Sequence, residues 1–213
     1  MNEILSYFLL CITSFFTLIN PLGVMPVFMT MTADFTDKER KFTVKKAILV
    51  SFFIMIGFAF SGQLLFKFFG ISVDSFRMVG GVIFFLMGMD MLNARLVSHQ
   101  FKEEETKHDY MTDISVTPLA IPMIVGPGAI TNSIVMMEDA NTFDKKFILI
   151  LTIAVVLFIT YLILVGSSKL TKKLGNTGNK ILMRMMGLIV MVIAVEFFFS
   201  GLKPILQGIL KIK

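Results

Sequence analysis

Six long apolar segments separated by short polar connections organise the chain. The apolar segments are Ile4–Thr32, Ala47–Phe69, Phe76–Ala94, Ser115–Met137, Phe147–Ser168 and Ile181–Leu202. The connections are Ala33–Lys46, Gly70–Ser75, Arg95–Ile114, Glu138–Lys146 and Lys169–Lys180. Because a helix needs about 20 apolar residues to cross the hydrocarbon core, each segment is long enough to span a membrane. The pattern predicts an all-α polytopic membrane protein with six transmembrane helices.

Composition excludes the other broad classes of protein. Hydrophobic residues make up 55% of the 213 residues and charged residues 16%, and the mean hydropathy is +0.81. A soluble domain carries about 25% charged residues, and the strands of an outer-membrane barrel alternate apolar and polar positions. The apolar runs of this chain are continuous instead. We therefore expect a multi-pass protein of the plasma (inner) membrane whose main partner is the lipid bilayer.

Residue types that hold metals or perform catalysis are scarce. Cys11 is the single cysteine, and His99 and His108 lie in one polar stretch without a close His pair, so no metal site is expected. The apolar segments contain no phosphate-binding glycine-rich motif and no Ser/His/Asp arrangement. The net charge of +5 is divided among short segments, which gives no continuous basic face for nucleic acid. We expect no enzyme activity, no cofactor and no nucleic-acid partner.

Lys and Arg residues in the connections predict the orientation. The first, third and fifth connections hold twelve of them, whereas the opposite side holds six: two in the fourth connection, three in the C-terminal tail, and Lys67 just before the second connection. Cytoplasmic loops carry the excess of these residues. We therefore expect the odd-numbered connections in the cytoplasm and both termini outside it.

Landmarks of the first half recur in the second half at nearly the same spacing. Asn20-Pro21-Leu22-Gly23 corresponds to Gly126-Pro127-Gly128-Ala129, and Arg77-Met78-Val79-Gly80 corresponds to Arg184-Met185-Met186-Gly187. The arginines follow the matched prolines by 56 and 57 residues, and a carboxylate follows each arginine, Asp90 in the first half and Glu196 in the second.

An odd number of spans in each unit makes consecutive copies cross the membrane in opposite directions. The landmarks therefore predict two inverted three-helix repeats, at residues 1–94 and 115–213, joined by a polar central loop at residues 95–114.

Prolines and glycines interrupt the first and fourth spans. Pro21 lacks a backbone N–H and clashes with the preceding turn, and Gly23 tolerates unusual backbone angles. Pro118, Pro122 and the Gly126–Gly128 run should interrupt the fourth span more strongly. Broken backbone persists in a membrane only where it faces protein or a water-filled cavity, and paired breaks of this kind mark the binding site of many secondary transporters. A proline kink that only shapes packing is the alternative.

The two breaks form the candidate binding site. The half-helix after each break directs free N–H groups and a partial positive charge towards an anion such as a carboxylate, and carbonyls before the break can hold an ammonium group. A small zwitterion matches both ends. The candidate substrate-binding residues are Asn20, Pro21, Gly23, Gly126, Pro127, Gly128, Thr17, Thr131 and Asn132.

Four charged residues are candidates for ion coupling. Asp90 and Glu196 are the candidate proton carriers, because carboxylates within a membrane often serve proton relays. Arg77 and Arg184 are their candidate partners, or partners of a substrate carboxylate. The alternative for the two arginines is a side chain that reaches the headgroups at the membrane interface, and the alternative for the two carboxylates is an interfacial charge paired with a nearby Lys or Arg. Gly80, Gly81 and Gly88 are better interpreted as sites of close helix packing.

The motifs resemble those of the MarC family of six-span bacterial inner-membrane proteins, also described as the small neutral amino-acid transporter family. The resemblance covers almost the whole chain. Its most specific parts are Ile19–Gly23, Pro118–Pro122 and Gly126–Ile130, with further likeness in Arg77–Leu92 and Arg184–Leu188. It implies an inverted pair of three-span units, and one archaeal branch is associated with ion-coupled uptake of glycine and alanine. Glu196 departs from the family pattern, in which an amide is common.

Together the residues and the resemblance favour a secondary transporter of small neutral amino acids that works by alternating access, coupled to a proton or sodium gradient. Three alternatives are left open: a non-transporting membrane scaffold or assembly protein, an exporter of another small metabolite and, with the least support from the sequence, a membrane-embedded enzyme. The substrate, the direction of transport, the coupling ion and a homo-oligomeric state are also left open.

Overall fold

Helical backbone follows the apolar segments. The computed structural model describes residues 3–33, 35–93 and 107–210, with the backbone alone for residues 30, 107–110, 168–176, 179 and 182. The helices are α1 (Glu3–Ile19), α2 (Pro21–Met31), α3 (Asp37–Phe69), α4 (Val73–Leu92), α5 (Lys107–Ile114), α6 (Pro127–Asp139) and α7 (Phe143–Leu210). Between α5 and α6 lies Ser115–Ile124, whose helical turns are interrupted by extended residues at Thr117 and Ile121.

The number of long apolar helices confirms an all-α polytopic membrane protein. The described residues form no strand. Five segments are long and apolar enough to cross a membrane, or six when the bent pair Met111–Ile124 and Pro127–Asp139 is counted as one span. Large apolar side chains such as Phe60 and Val192 are exposed along these helices. Lipid covers such a surface in a membrane protein, whereas in water it would cause aggregation.

Polar residues fix the ends of α3 and the start of α4. The Thr36 backbone N–H donates to the Glu39 carboxylate at 2.7 Å, and the Thr36 hydroxyl accepts from the Glu39 N–H at 3.3 Å, which forms a capping box. Gly70 ends α3 with a left-handed φ of 65°, a conformation that glycine adopts without steric cost. Ser72 then caps α4 through its hydroxyl. The two helices are therefore joined by a tight turn.

Contacts between helix ends give the direction of the spans. Tyr7, near the start of α1, donates a hydrogen bond of 2.6 Å to the carbonyl of Met136, near the end of α6. Gln63, near the end of α3, donates to Glu138 at 2.6 Å. The start of α1 and the ends of α3 and α6 therefore lie at one face of the bundle, which we call the N-terminal face. Because α4 and α7 begin within four residues of these ends, they start at this face too.

The long helix α7 contains two spans, the first arm (Phe143–Ser167) and the second arm (Met183–Leu210). The first arm starts at the N-terminal face, where the Lys145 ammonium lies 3.7 Å from the Glu3 carboxylate. The two arms together are about three times as long as a hydrocarbon core is thick, so they cannot form one straight span.

The second arm runs antiparallel to α4. Gly187 lies against Gly88 near the end of α4, and Gly201 lies against Asp74 near its start. Gly201 is therefore at the N-terminal face, where the first arm also begins. The chain must reverse direction between the two arms, so the six spans alternate in direction along the chain.

Small residues allow this antiparallel pair to pack closely. A Cβ atom at Gly81 would lie 2.7 Å from the carbonyl oxygen of Ala194, and one at Gly88 would lie 2.9 Å from that of Gly187. The backbones are thus nearly in contact, as is common between membrane helices. The interpretation of Gly81 and Gly88 as packing residues agrees with these contacts.

The predicted connections were too long, because polar residues also form helix. Helix α3 starts at Asp37, inside the predicted connection Ala33–Lys46, and α5 occupies the end of the predicted loop at residues 95–114. The predicted connection Lys169–Lys180 consists of helical turns, so the reversal between the two arms is a sharp bend between helical turns and not an extended loop. This connection contains no proline, and its Lys and Leu residues favour helix. Residues 94–106, which include His99, lie outside the described part of the chain.

Candidate functional site

The first break lies at Asn20, between α1 and α2. Asn20 has a left-handed φ of 46°, which asparagine tolerates better than most residues do. Its backbone N–H donates to the Phe16 carbonyl at 3.0 Å, and its side-chain oxygen accepts from the Gly23 N–H at 3.2 Å. Pro21 is the first residue of α2, where a missing N–H is tolerated. Asn20 therefore ends one half-helix and caps the next.

The second break lies between Ser115–Ile124 and α6. Thr117 and Ile121 have extended backbone angles, with φ of −129° and −122°, because each precedes a proline, which disfavours helical angles in the residue before it. Helix α6 starts after Gly126 with Pro127 at its first position, and no side chain caps this start. The two half-helices are bent by 62°.

A cavity of about 110 Å³ lies at the first break. It is lined by helices of both halves of the chain, and its polar lining comes from Thr17 and Asn20. The lining residues are Thr17, Leu18, Ile19, Asn20, Gly23, Val24, Phe84, Met87, Met91, Met123, Val190, Ile193 and Phe197. Pockets for drug-sized ligands measure about 300–1,000 Å³, so this cavity fits only a small solute.

Two phenylalanine rings separate the cavity from the second break. Phe84 of α4 and Phe197 of the second arm have ring centroids 6.5 Å apart. A Cβ atom at Gly126 would collide with the Phe84 ring, and one at Gly128 would lie 3.2 Å from Cζ of Phe197. The rings thus lie directly on the backbone of the second break.

The structure places the predicted binding residues in two groups. Thr17, Asn20 and Gly23 line the cavity. Gly126 and Gly128 lie behind the two rings, and the Pro127 ring packs where a Cβ atom of Gly80 would be. Pro21 is not among the lining residues. The two breaks are therefore neighbours, with the aromatic pair between them.

Four side chains each have a buried polar atom without a hydrogen-bond partner among the described residues. They are Thr131 and Asn132 in α6, and Thr43 and Ser51 in α3. Buried polar groups are nearly always hydrogen-bonded to protein or water. These groups therefore provide free hydrogen-bonding capacity inside the bundle, and two of them follow the second break.

The antiparallel pairing of α4 and the second arm gives the depth of the charged residues. Arg184 and Lys203 are 19 residues apart on the second arm, about 28 Å of helix, which matches the hydrocarbon thickness. Asp90 is level with Gly187, three residues inward from Arg184 and still near that interface. Arg77 contacts Asp74 at 3.2 Å, near the other interface.

Glu196 lies deeper than the other charged residues of this helix pair. It is seven residues inward from Lys203, about 10 Å along the helix, and it is exposed on the outer surface of the second arm. In the described part of the chain it forms no ion pair. Of the four candidate coupling residues, only Glu196 therefore lies well inside the membrane.

Sequence reasoning missed Phe84 and Phe197. Phenylalanine occurs 23 times in the chain, and helical periodicity does not distinguish a ring that lines a cavity from one that faces lipid. Gly126 and Gly128 could have indicated these rings, because a glycine leaves room for a large neighbouring side chain.

Comparison with known proteins agrees with this architecture. The family model described as MarC family integral membrane protein matches residues 5–206. This chain belongs to the MarC family. A UPF0056 membrane protein of Methanocaldococcus jannaschii is 38% identical over 93% of this chain and 97% of that protein. The UPF0056 membrane protein YvbG of Bacillus subtilis is 36% identical over 89% of this chain and 91% of its own length.

The MarC family match covers both breaks, both phenylalanines of the aromatic pair and all the candidate binding residues. No solved structure matches the chain. The chain is thus a multi-pass integral membrane protein of this family.

Proposed function

We propose that the protein is a secondary transporter of small neutral amino acids such as glycine and alanine, coupled to a proton or sodium gradient. The observation that carries the proposal is the cavity of about 110 Å³ at the first break, lined by helices of both halves. Broken helices in inverted repeats are the usual location of a transporter's binding site. The small volume favours a small substrate over a drug-sized one.

The polar groups near the breaks suit a zwitterion. The start of α6 has no side-chain cap, so the N–H groups of its first turn favour an anionic group such as a carboxylate. Thr131 and Asn132 follow in the next turn with unpartnered polar atoms. During alternating access, water reaches the start of α6. The substrate carboxylate then binds at the start of α6, and its ammonium group binds the carbonyls beside Asn20.

Glu196 is the candidate for ion coupling that the geometry favours. It is the deepest of the four charged candidates, whereas Asp90, Arg77 and Arg184 lie towards the interfaces. Carboxylates within a membrane are costly and commonly mark an ion or proton pathway. Under this proposal Glu196→Gln uncouples uptake from the ion gradient but permits exchange of substrate.

Uptake of labelled glycine and alanine into proteoliposomes, with imposed proton or sodium gradients, tests the proposal. Accumulation that collapses with one gradient is expected, and Gly128→Leu should abolish it because the leucine side chain would meet Leu18 and Phe197. Gly166→Leu is the matched control, since a Cβ atom there would meet no atom beyond its own helix within 4 Å. Absence of flux under every gradient, with folded and oriented wild-type protein, would contradict the proposal and favour a scaffold function.

A further inference from the structure

The phenylalanine rings of Phe84 and Phe197 are a rigid part of the cavity wall. Each ring lies on backbone that has no side chain to yield, at Gly126 and at Gly128 respectively. A further neighbour of Phe197 is Gly80, where a Cβ atom would lie 3.3 Å from Cε1 of the ring. The rings therefore cannot withdraw from the cavity unless α4 or the second arm moves.

The methionines of the same wall behave differently. Met87, Met91 and Met123 also line the cavity, but a methionine side chain is unbranched and adapts to an irregular space. A larger ligand can displace a thioether by a rotamer change. It cannot displace a ring that already touches backbone, so the aromatic pair limits the volume.

We propose that Phe84 and Phe197 set the upper size limit of the transported amino acid. They admit a side chain of hydrogen or methyl and exclude valine and leucine. This inference rests on the proposed transport function and names the substrate class of the same site. An apolar wall lowers the transport of a substrate by about tenfold or more for each methylene group that does not fit. Leucine is therefore excluded, whereas alanine is admitted.

Under this inference Gly126 of the second break also determines the position of the Phe84 ring. Gly126 has φ −78° and ψ 171°, angles that alanine adopts freely. A methyl group there would collide with the Phe84 ring and push it into the cavity. Gly126 is thus needed to seat the ring, in addition to interrupting the helix.

Counterflow of labelled amino acids into proteoliposomes loaded with unlabelled glycine measures the size limit. Phe84→Ala and Phe197→Ala should each raise the ratio of leucine to glycine exchange at least tenfold, because truncation leaves much of the ring volume as cavity. Phe199→Ala is the matched control, since that ring is 58% exposed on the outer surface of the same helix. The ratio of leucine to glycine exchange in Phe199→Ala should equal that of the wild type.

A double-substitution cycle tests the seating of Phe84. Gly126→Ala alone should lower glycine exchange severalfold, because the displaced ring fills the cavity. In the Phe84→Ala background the same change should have little effect, since no ring remains to be displaced. An equal loss of glycine exchange in both backgrounds would contradict the inference, because Gly126→Ala would then act independently of the Phe84 ring.

The outcomes separate this inference from the proposed function. If wild-type protein exchanges neither glycine nor alanine, the transport proposal fails and the inference fails with it. If it exchanges glycine but the ratio is unchanged in both alanine variants, the inference alone is wrong. Gel filtration verifies folding. If an alanine variant does not fold, Phe84→Leu and Phe197→Leu replace it in the test. Leucine is smaller than phenylalanine, so these variants should also raise the ratio of leucine to glycine exchange.

Discussion

Asn20 supports the first break through both its backbone and its side chain. Its left-handed φ of 46° and its hydrogen bond to the Gly23 N–H both depend on the asparagine side chain. Alanine loses the cap, worth about 1 kcal/mol, and incurs a left-handed strain of about 1 kcal/mol. We expect Asn20→Ala to lower the free energy of unfolding by about 2 kcal/mol and Asn20→Gly by about 0.5 kcal/mol or less.

Denaturant titration of the purified protein in detergent measures these differences. Wild-type protein is the reference, and Asn20→Gly isolates the strain, because glycine adopts left-handed angles without cost but lacks the capping oxygen. Equal losses for alanine and glycine would show that left-handed strain does not contribute to the effect of Asn20.

At the scale of single residues, the sequence predicted backbone effects better than side-chain contacts. Proline and glycine act on their immediate neighbours, so the breaks at Pro21 and Pro127 were visible in the chain. The contact of Gly80 with Pro127 joins residues 47 positions apart and depends on how whole helices pack. No local pattern contains that information.

The contact of α4 with the second arm of α7 predicts opposite effects for two glycines. Gly81→Ala places a methyl group 2.7 Å from the Ala194 carbonyl oxygen, so the helices must separate, at a cost of about 1–3 kcal/mol. Gly57→Ala in α3 meets no atom within 4 Å and should stabilise the helix by about 0.5–1 kcal/mol.

Thermal unfolding in detergent, followed by circular dichroism, compares the two variants. We expect a lower melting temperature for Gly81→Ala and an equal or higher one for Gly57→Ala. A similar increase in both variants would mean that helix propensity, and not helix separation, governs these positions.

At the scale of helices, hydropathy located the spans but not the helix ends. The criterion of apolarity finds the part of a helix that lies in hydrocarbon, whereas the capping box at Thr36 starts α3 ten residues before its apolar run. Charged residues such as Lys41 and Lys45 are good helix formers. They continue the helix into water without contributing to the apolar signal.

For the whole molecule, the alternation of six spans predicts where its surfaces lie. Asn141 is at the N-terminal face, and Lys38 is at the opposite face at the start of α3. The distribution of Lys and Arg predicts that the face of Lys38 is cytoplasmic. A membrane-impermeant maleimide should therefore label Asn141→Cys in intact cells and Lys38→Cys only after the membrane is opened.

Cys11 does not interfere with this measurement because it is fully buried. Wild-type protein is the control and should remain unlabelled in folded form. Labelling of both variants in intact cells would contradict the alternation of spans, and the reverse pattern would contradict the assigned orientation.

The unlike packing of the two breaks has a consequence for the resting state of a transporter with this architecture. Inverted repeats with identical sequences would give inward and outward openings of equal free energy. Here Asn20 caps the first break beside an open cavity, while the second break, at the equivalent position Gly126, is sealed by Phe84. The ratio of inward-facing to outward-facing protein is then set by the differences between the two halves. Each 1.4 kcal/mol of free-energy difference between the two states changes this ratio tenfold. Substitutions at either break would therefore alter which way the empty protein faces as well as how tightly it binds.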